Sequence, residues 1–151
     1  MAEHTAPRAL TGTQPDTLME TLGIVINEAT PERVVATMPV TTRHHQPYGI
    51  LHGGASVALA ETVASYGSMV SVDGSGQQAV GLEINANHVR PVREGTLTAV
   101  GTPIHKGRTT QLWGVEIRDD AGRLVCVSRC TLALVKARSW ASSPRERGTS
   151  E

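Results

Sequence analysis

The sequence predicts an α+β domain in which one long helix lies against a curved antiparallel sheet, in the order β-β-α-β-β-β-β. Three observations predict it. The run ASVALAETVASYGSMVSV, residues 55–72, is rich in Ala, Leu and Val and apolar nearly all round, as a buried helix is. Two strand-like stretches precede it and four follow. Short links rich in Gly and Asp join the later strands, and short links make neighbouring strands antiparallel.

The elements follow in order. Leu22–Glu28 and Arg33–Val40 read as strands joined by the turn ATPE. The second alternates, with Val34, Ala36 and Met38 on one side and Val35 and Thr37 on the other. Residues 41–49 (TTRHHQPYG) are polar and irregular and lead into Ile50-Leu51-His52-Gly53-Gly54. The helix ends near Asp73-Gly74 and carries one thin polar line, Glu61, Ser65 and Ser68. After the turn DGSGQQ come strands at Ala79–Val92, Thr96–His105, Thr109–Arg118 and Arg123–Val135. Lys106-Gly107-Arg108 and Asp119-Asp120-Ala121-Gly122 are hairpin turns, and Pro91 with Arg93-Glu94-Gly95 separates the first two of these strands. A helix cradled by a sheet of this order is the hotdog arrangement.

Composition bounds the rest. The 151 residues suit one domain, expected over 17–136, with residues 1–16 and 137–151 as flexible tails whose composition offers little to bury beyond Trp140. No apolar run spans a membrane and no leader-like stretch opens the chain, so a cytoplasmic protein is expected. Fourteen basic residues balance 14 acidic ones, which argues against nucleic acid as a partner. The cations cluster only at Lys106 and Arg108 and in a tail at Arg138, Arg145 and Arg147, enough to meet a phosphorylated small ligand. Phe is absent and aromatics make up 3%, so the core must rest on close backbone approach and aliphatic packing. Cys126 and Cys130 fall on one strand face about 13 Å apart, too far to pair, and are expected as free buried thiols.

The chemistry concentrates at the start of the helix. Two glycines there leave backbone N–H groups uncovered, and the helix dipole aids them in holding an oxygen that turns negative. The same glycines also suit a plain tight turn. Glu61 adds a carboxylate amid Ala58, Leu59, Ala60, Val63 and Ala64, where burial is costly and raises a carboxyl's basicity; the alternative is a wet helix face. Gly53 and Glu61 are eight residues apart, about 12 Å along a helix. An oxyanion donor and an attacking group that share one carbonyl lie within about 6 Å of each other. The spacing therefore predicts that Glu61 of one copy works with Gly53 of another, at a dimer interface. Six histidines are present, but none pairs as His-x-x-x-His beside a carboxylate, so no metal is expected. A Gly-x-Ser-x-Gly elbow is also missing.

Three segments, residues 46–65 (QPYGILHGGASVALAETVAS), 80–95 (VGLEINANHVRPVREG) and 101–124 (GTPIHKGRTTQLWGVEIRDDAGRL), closely resemble the PaaI-like hotdog acyl-CoA thioesterases. Within that family the chain looks nearest to the 1,4-dihydroxy-2-naphthoyl-CoA hydrolases and enterobactin proofreading thioesterases, and is similar to the Glu-dependent 4-hydroxybenzoyl-CoA thioesterases. The resemblance implies hydrolysis of an aroyl-CoA without a cofactor. It makes Glu61 the nucleophile or general base and the Gly53 N–H the oxyanion donor. Gln46 and His52 would orient the carbonyl, and Ser65 would hydrogen-bond the attacking water or the carboxylate. His88, with Gly54 and Asn87, would contact the acyl group. Arg90, Lys106, Gly107, Arg108 and Thr109 would meet the CoA. Arg108 stands where relatives commonly have Ser. Homotetramers built as dimers of dimers are usual in such relatives. Two other readings of the fold are a hydratase acting on acyl thioesters and an acyl-CoA sensor without turnover; the glycine pair with Glu61 and Ser65 fits hydrolysis better.

Overall fold

A computed structural model describes residues 11–137. Arg138, Trp140, Arg145 and Arg147, which the sequence assigns to a tail, lie outside the described residues. Helix α1 spans Leu18–Leu22, strand β1 Val25–Ala29 and strand β2 Val34–Val40. A 3-10 turn at Thr42–His44 leads to helix α2, Gly53–Ser71. Strands β3 (Gln77–His88), β4 (Gly95–Lys106), β5 (Thr110–Arg118) and β6 (Leu124–Lys136) complete the chain. All six strands form one antiparallel sheet in the order β1-β2-β4-β5-β6-β3. Helix α2 packs against every strand of it, which is the hotdog architecture.

The core follows from alternation. Val34, Ala36, Met38 and Val40 of β2 point inward, as do Gln111, Trp113, Val115 and Ile117 of β5. From α2 they meet Leu59, Ala60, Val63 and Ala64, all fully buried. Each large side chain buried this way contributes roughly 1.5–3 kcal/mol. With so few aromatics, the helix must come close to the sheet. A Cβ at Gly67 would collide with the Trp113 indole, and one at Gly101 with Val63. The two bare backbones set the helix-to-sheet distance.

Several boundaries differ from the sequence reading. Leu22-Gly23 does not begin a strand. Thr17 precedes a short helix that stops at Gly23, whose φ of 67° suits a residue without a side chain. Residues assigned to a flexible tail also join the sheet: Gly12 exchanges both backbone hydrogen bonds with Ile26, at 2.7 and 2.8 Å. Strand β3 ends at His88 rather than Val92, because Pro91 has no N–H to continue a ladder. Instead Leu51 N–H donates to the Val92 carbonyl (2.7 Å), drawing this crossover against the loop before α2. That crossover carries the chain from β3, at one sheet edge, to β4 in the interior. Cys126 and Cys130 are free and buried, as the spacing predicts.

Helix α2 is not buried all round. Its inner face holds Ala55, Ser56, Leu59, Ala60, Val63, Ala64, Gly67 and Ser68, while Glu61 and Ser65 are only half-buried. The polar line therefore splits. Ser68 turns inward and donates to Gln111 Oε1 (2.9 Å), which also accepts from Trp113 Nε1 (2.9 Å). No helix among the described residues is long and apolar enough to cross a membrane.

Candidate active site

The first turn of α2 is shaped by its cap. His52 Nδ1 accepts the Gly54 N–H at 2.8 Å, so in the neutral ring the proton rests on Nε2. This takes Gly54 out of use as an oxyanion donor. The Gly53 N–H, one residue earlier, has no partner among the described residues. Against Gly53 lies His88, the last residue of β3; a Cβ at position 53 would come within 2.8 Å of its Nε2. Only glycine lets the imidazole and the helix terminus meet this closely.

Gln46 is brought to the same place by a turn in which its N–H donates to the Ile50 carbonyl (2.8 Å) and its carbonyl accepts from Gly49 (2.9 Å). Its side-chain Oε1 accepts the Tyr48 N–H, which leaves the amide NH2 as a free donor. Gln46, Gly53, His88 and Arg90 line one cleft of about 360 Å³, walled by Ile50, Leu51, Val89, Pro91 and Val125. Arg90 uses Nε to bind the Leu124 carbonyl (3.2 Å) and keeps the rest of its guanidinium exposed. One further residue lines this cleft and was not singled out by sequence reasoning: Ser56, one helical turn beyond Gly53. The signal available was its spacing, three residues on, which puts it on the Gly53 face of the helix.

Glu61 and Ser65 do not share that cleft. They line another of about 430 Å³, with Gly54, Leu18, Met19, Val57, Ala58, Thr62 and Tyr66. Glu61 has no hydrogen-bond or ion-pair partner among the described residues. Its carboxylate lies over the backbone of β3 at Gly81, where a Cβ would fall 2.5 Å from Oε1. The β3–β6 register slips between Gly81 and Glu83 beside it. Burial, aided by the carboxylates of Glu61 and Glu83, pushes the Cys130 thiol up to about 12. Burial also raises Cys126.

The remaining candidates lie elsewhere. Lys106 pairs with Glu32 (3.6 Å). The Arg108 carbonyl accepts from Gln77 (3.5 Å), the Thr109 carbonyl accepts the Leu134 N–H (2.8 Å), and Gly107 N–H closes the hairpin on Thr110 (2.8 Å). This tip belongs to the Gln77 end of β3, whereas Arg90 follows its His88 end. Twelve residues of strand separate those ends by about 36 Å. Asn87 is exposed on β3, next to His88.

Comparison with known proteins agrees with this architecture. Residues 48–126 match the family described as the Thioesterase superfamily. The chain is similar to the proofreading thioesterase EntH of Cronobacter sakazakii, 45% identical over 132 residues, covering 87% of this chain and 96% of that one. It is also similar to the 1,4-dihydroxy-2-naphthoyl-CoA hydrolase of Listeria monocytogenes, 45% identical over 121 residues, covering 80% and 98%. A crystal structure of a Haemophilus influenzae thioesterase superposes with a TM-score of 0.77 at 47% identity, covering 81% of this chain and 85% of that one. With the fold, the family match and these relatives in agreement, the chain belongs to the hotdog thioesterase superfamily and is a thioester hydrolase.

Proposed function

We propose that the chain hydrolyses aromatic acyl-CoA thioesters, such as 1,4-dihydroxy-2-naphthoyl-CoA or a hydroxybenzoyl-CoA, at a site shared between two copies. The observation that carries this reading is the division of the candidate residues into two half-sites. Gly53, Gln46, His88 and Arg90 gather at one end of β3, while Glu61, Ser65 and the 106–109 hairpin lie toward the other. One chain cannot bring Glu61 and Gly53 to a single carbonyl across about 12 Å of helix.

A second copy supplies what is missing. Among the described residues strand β3 is a sheet edge with an unpaired side, and Val80 and Leu82 on it are 44% and 62% exposed. Two such edges paired antiparallel about a two-fold between Ile84 and Asn85 set Gly81 of one copy opposite His88 of the other. Glu61, which lies over Gly81, then faces the partner's Gly53, which lies under His88. The two-fold makes two equivalent sites. It also brings the hairpin cations of one copy toward Arg90 of the other, where they suit the phosphates of CoA. The outer sheet face, with Ile104 57% and Val127 37% exposed, offers apolar surface for a second pairing into a tetramer. A cytoplasmic setting suits the two free thiols.

In this site the Gly53 N–H holds the thioester oxygen as it becomes negative, with the Gln46 amide and the His52 ring orienting the carbonyl. Glu61 either takes a proton from a water that attacks the carbonyl, or attacks it directly to form an anhydride that water then opens. Ser65 hydrogen-bonds that water or the carboxylate. The carbon–sulfur bond breaks, and the products are the free acid and CoA. His88, Gly54 and Asn87 border the acyl group.

The test is thiol release from dihydroxynaphthoyl-, hydroxybenzoyl-, phenylacetyl- and medium-chain acyl-CoA, with wild type beside Glu61→Gln. Aroyl-CoA hydrolysis that falls by about 10³-fold in the variant is expected. Single turnover in ¹⁸O-water separates the two roles, because only a nucleophilic Glu61 takes up label. Full activity in Glu61→Gln would sink the assignment.

A further inference from the structure

Helix α2 carries several hydroxyl side chains, and most are accounted for. Thr62 donates to the Ala58 carbonyl (2.7 Å) and Ser71 to the Gly67 carbonyl (2.8 Å), the usual bond of a helical hydroxyl to the preceding turn. Ser68 binds Gln111. Ser56 does none of these. It is 1% exposed, and its Oγ is buried without a hydrogen-bond partner among the described residues. A buried hydroxyl left unpaired costs about 1–3 kcal/mol, and alanine in its place would cost nothing of the kind. Ser56 is one of the residues that line the cleft holding Gly53, Gln46 and His88.

Its place in that cleft decides its partner. The free Gly53 N–H belongs to a half-buried residue at the helix terminus, whereas Ser56 is on the buried wall one turn on. An acyl group whose thioester carbonyl is held at Gly53 shares the cleft with the apolar Leu51, Val125 and Val89 and with the polar Gln46, Ser56, His88 and Arg90, and of these four only Ser56 is fully buried. A serine hydroxyl has three staggered positions about χ1, so it can take up a partner without a change in the backbone.

We propose that Ser56 is a specificity-determining residue whose hydroxyl hydrogen-bonds a ring hydroxyl adjacent to the thioester on the aroyl group. The inference rests on the aroyl-CoA reading above and narrows it to acyl groups that carry a hydrogen-bonding substituent beside the carbonyl. A site built around such a bond discriminates strongly, because the analogue without the substituent leaves the serine unpaired. It also explains why an unpaired hydroxyl is kept in the apolar wall: it is satisfied only when substrate is bound.

The experiment compares kcat/KM for 2-hydroxybenzoyl-CoA and benzoyl-CoA in wild type and Ser56→Ala, with thermal melts of both proteins. The ratio of the two constants is expected to fall about tenfold or more in the variant, the loss of one hydrogen bond, while the melting temperature holds or rises. A ratio that does not change overturns the proposal, whether both constants fall together, as they would if Ser56 served the carbonyl, or neither does. A lowered melting temperature with an unchanged ratio marks Ser56 as structural. Should Ser56→Ala fail to fold, Ser56→Cys keeps the volume with a weak donor, and the same fall in ratio is expected. Wild type that turns over no aroyl-CoA would remove the reading beneath this proposal; wild type that is active with an unaltered ratio in the variants removes the proposal alone.

Discussion

Glu61 occupies the space that a side chain at position 81 would take. Its carboxylate and the Gly81 backbone are so close that a single methyl group must displace one of them. Gly81→Ala is thus expected to push Glu61 out of line. A shift of this size lowers kcat by about 10²-fold with KM for an aroyl-CoA little altered, as steady-state kinetics would show. Equal loss in kcat and in thermal stability would instead mark the glycine as a packing residue. None of this was legible in the sequence, where Gly81 reads as one residue of a strand. Glu61 was legible as a candidate, because a carboxylate in an Ala- and Val-rich helix stands out. Its half-burial was not, since helix periodicity names the faces but not what covers each one. Ser68 was misplaced for the same reason: one helical turn beyond Ser65 it had already rotated into the core, toward Gln111. Ser56 went unnoticed because a serine among alanines gives no sign that its bond is missing.

At the scale of elements, β3 decides most of what the chain can do. Among the described residues it presents an unpaired edge twelve residues long, with Leu82 62% exposed near its middle. Unprotected edges of this kind are uncommon in proteins that act alone. Leu82→Glu places a charge on that edge, and on a two-fold it does so twice. The expected result is a smaller species by light scattering and the loss of most thioesterase activity, with the secondary structure by circular dichroism retained. An active variant of unchanged size would argue that the edge is not the pairing surface. The strands were legible because β2 and β5 alternate cleanly and the hairpins at 106–109 and 119–122 carry Gly and Asp where tight turns need them. The pairing of β3 with β6 rather than β4 was not stated by any local pattern, since it depends on the crossover past Pro91. Helix α1 was missed although both of its ends were written in the chain, at Thr17 and Gly23. Five residues are too few to show a helical period.

For the molecule as a whole, burial of the two thiols ties stability to pH. The Cys130 thiol ionises near 12 in the folded protein against an ordinary value of 9.0. The folded state thus keeps its proton where the unfolded chain loses it, and the gain is full below pH 9 and declines as pH rises from 9 toward 12. Chemical denaturation between pH 8 and 11 should show stability falling over that window. Cys130→Ser, measured alongside, should flatten the decline. A wild-type curve that is flat to pH 11 would count against the buried thiol as its source.

The placement of Gly53 and Glu61 at separate stations of one helix has a genetic consequence. If each working centre draws one from each of two copies, a chain damaged only at Gly53 and a chain damaged only at Glu61 are both dead in isolation. Their mixed dimer, however, joins the intact half of each and so owns one whole centre beside one that is broken twice. Two recessive alleles of this kind would complement each other within the same gene, whereas two lesions in the same half would not.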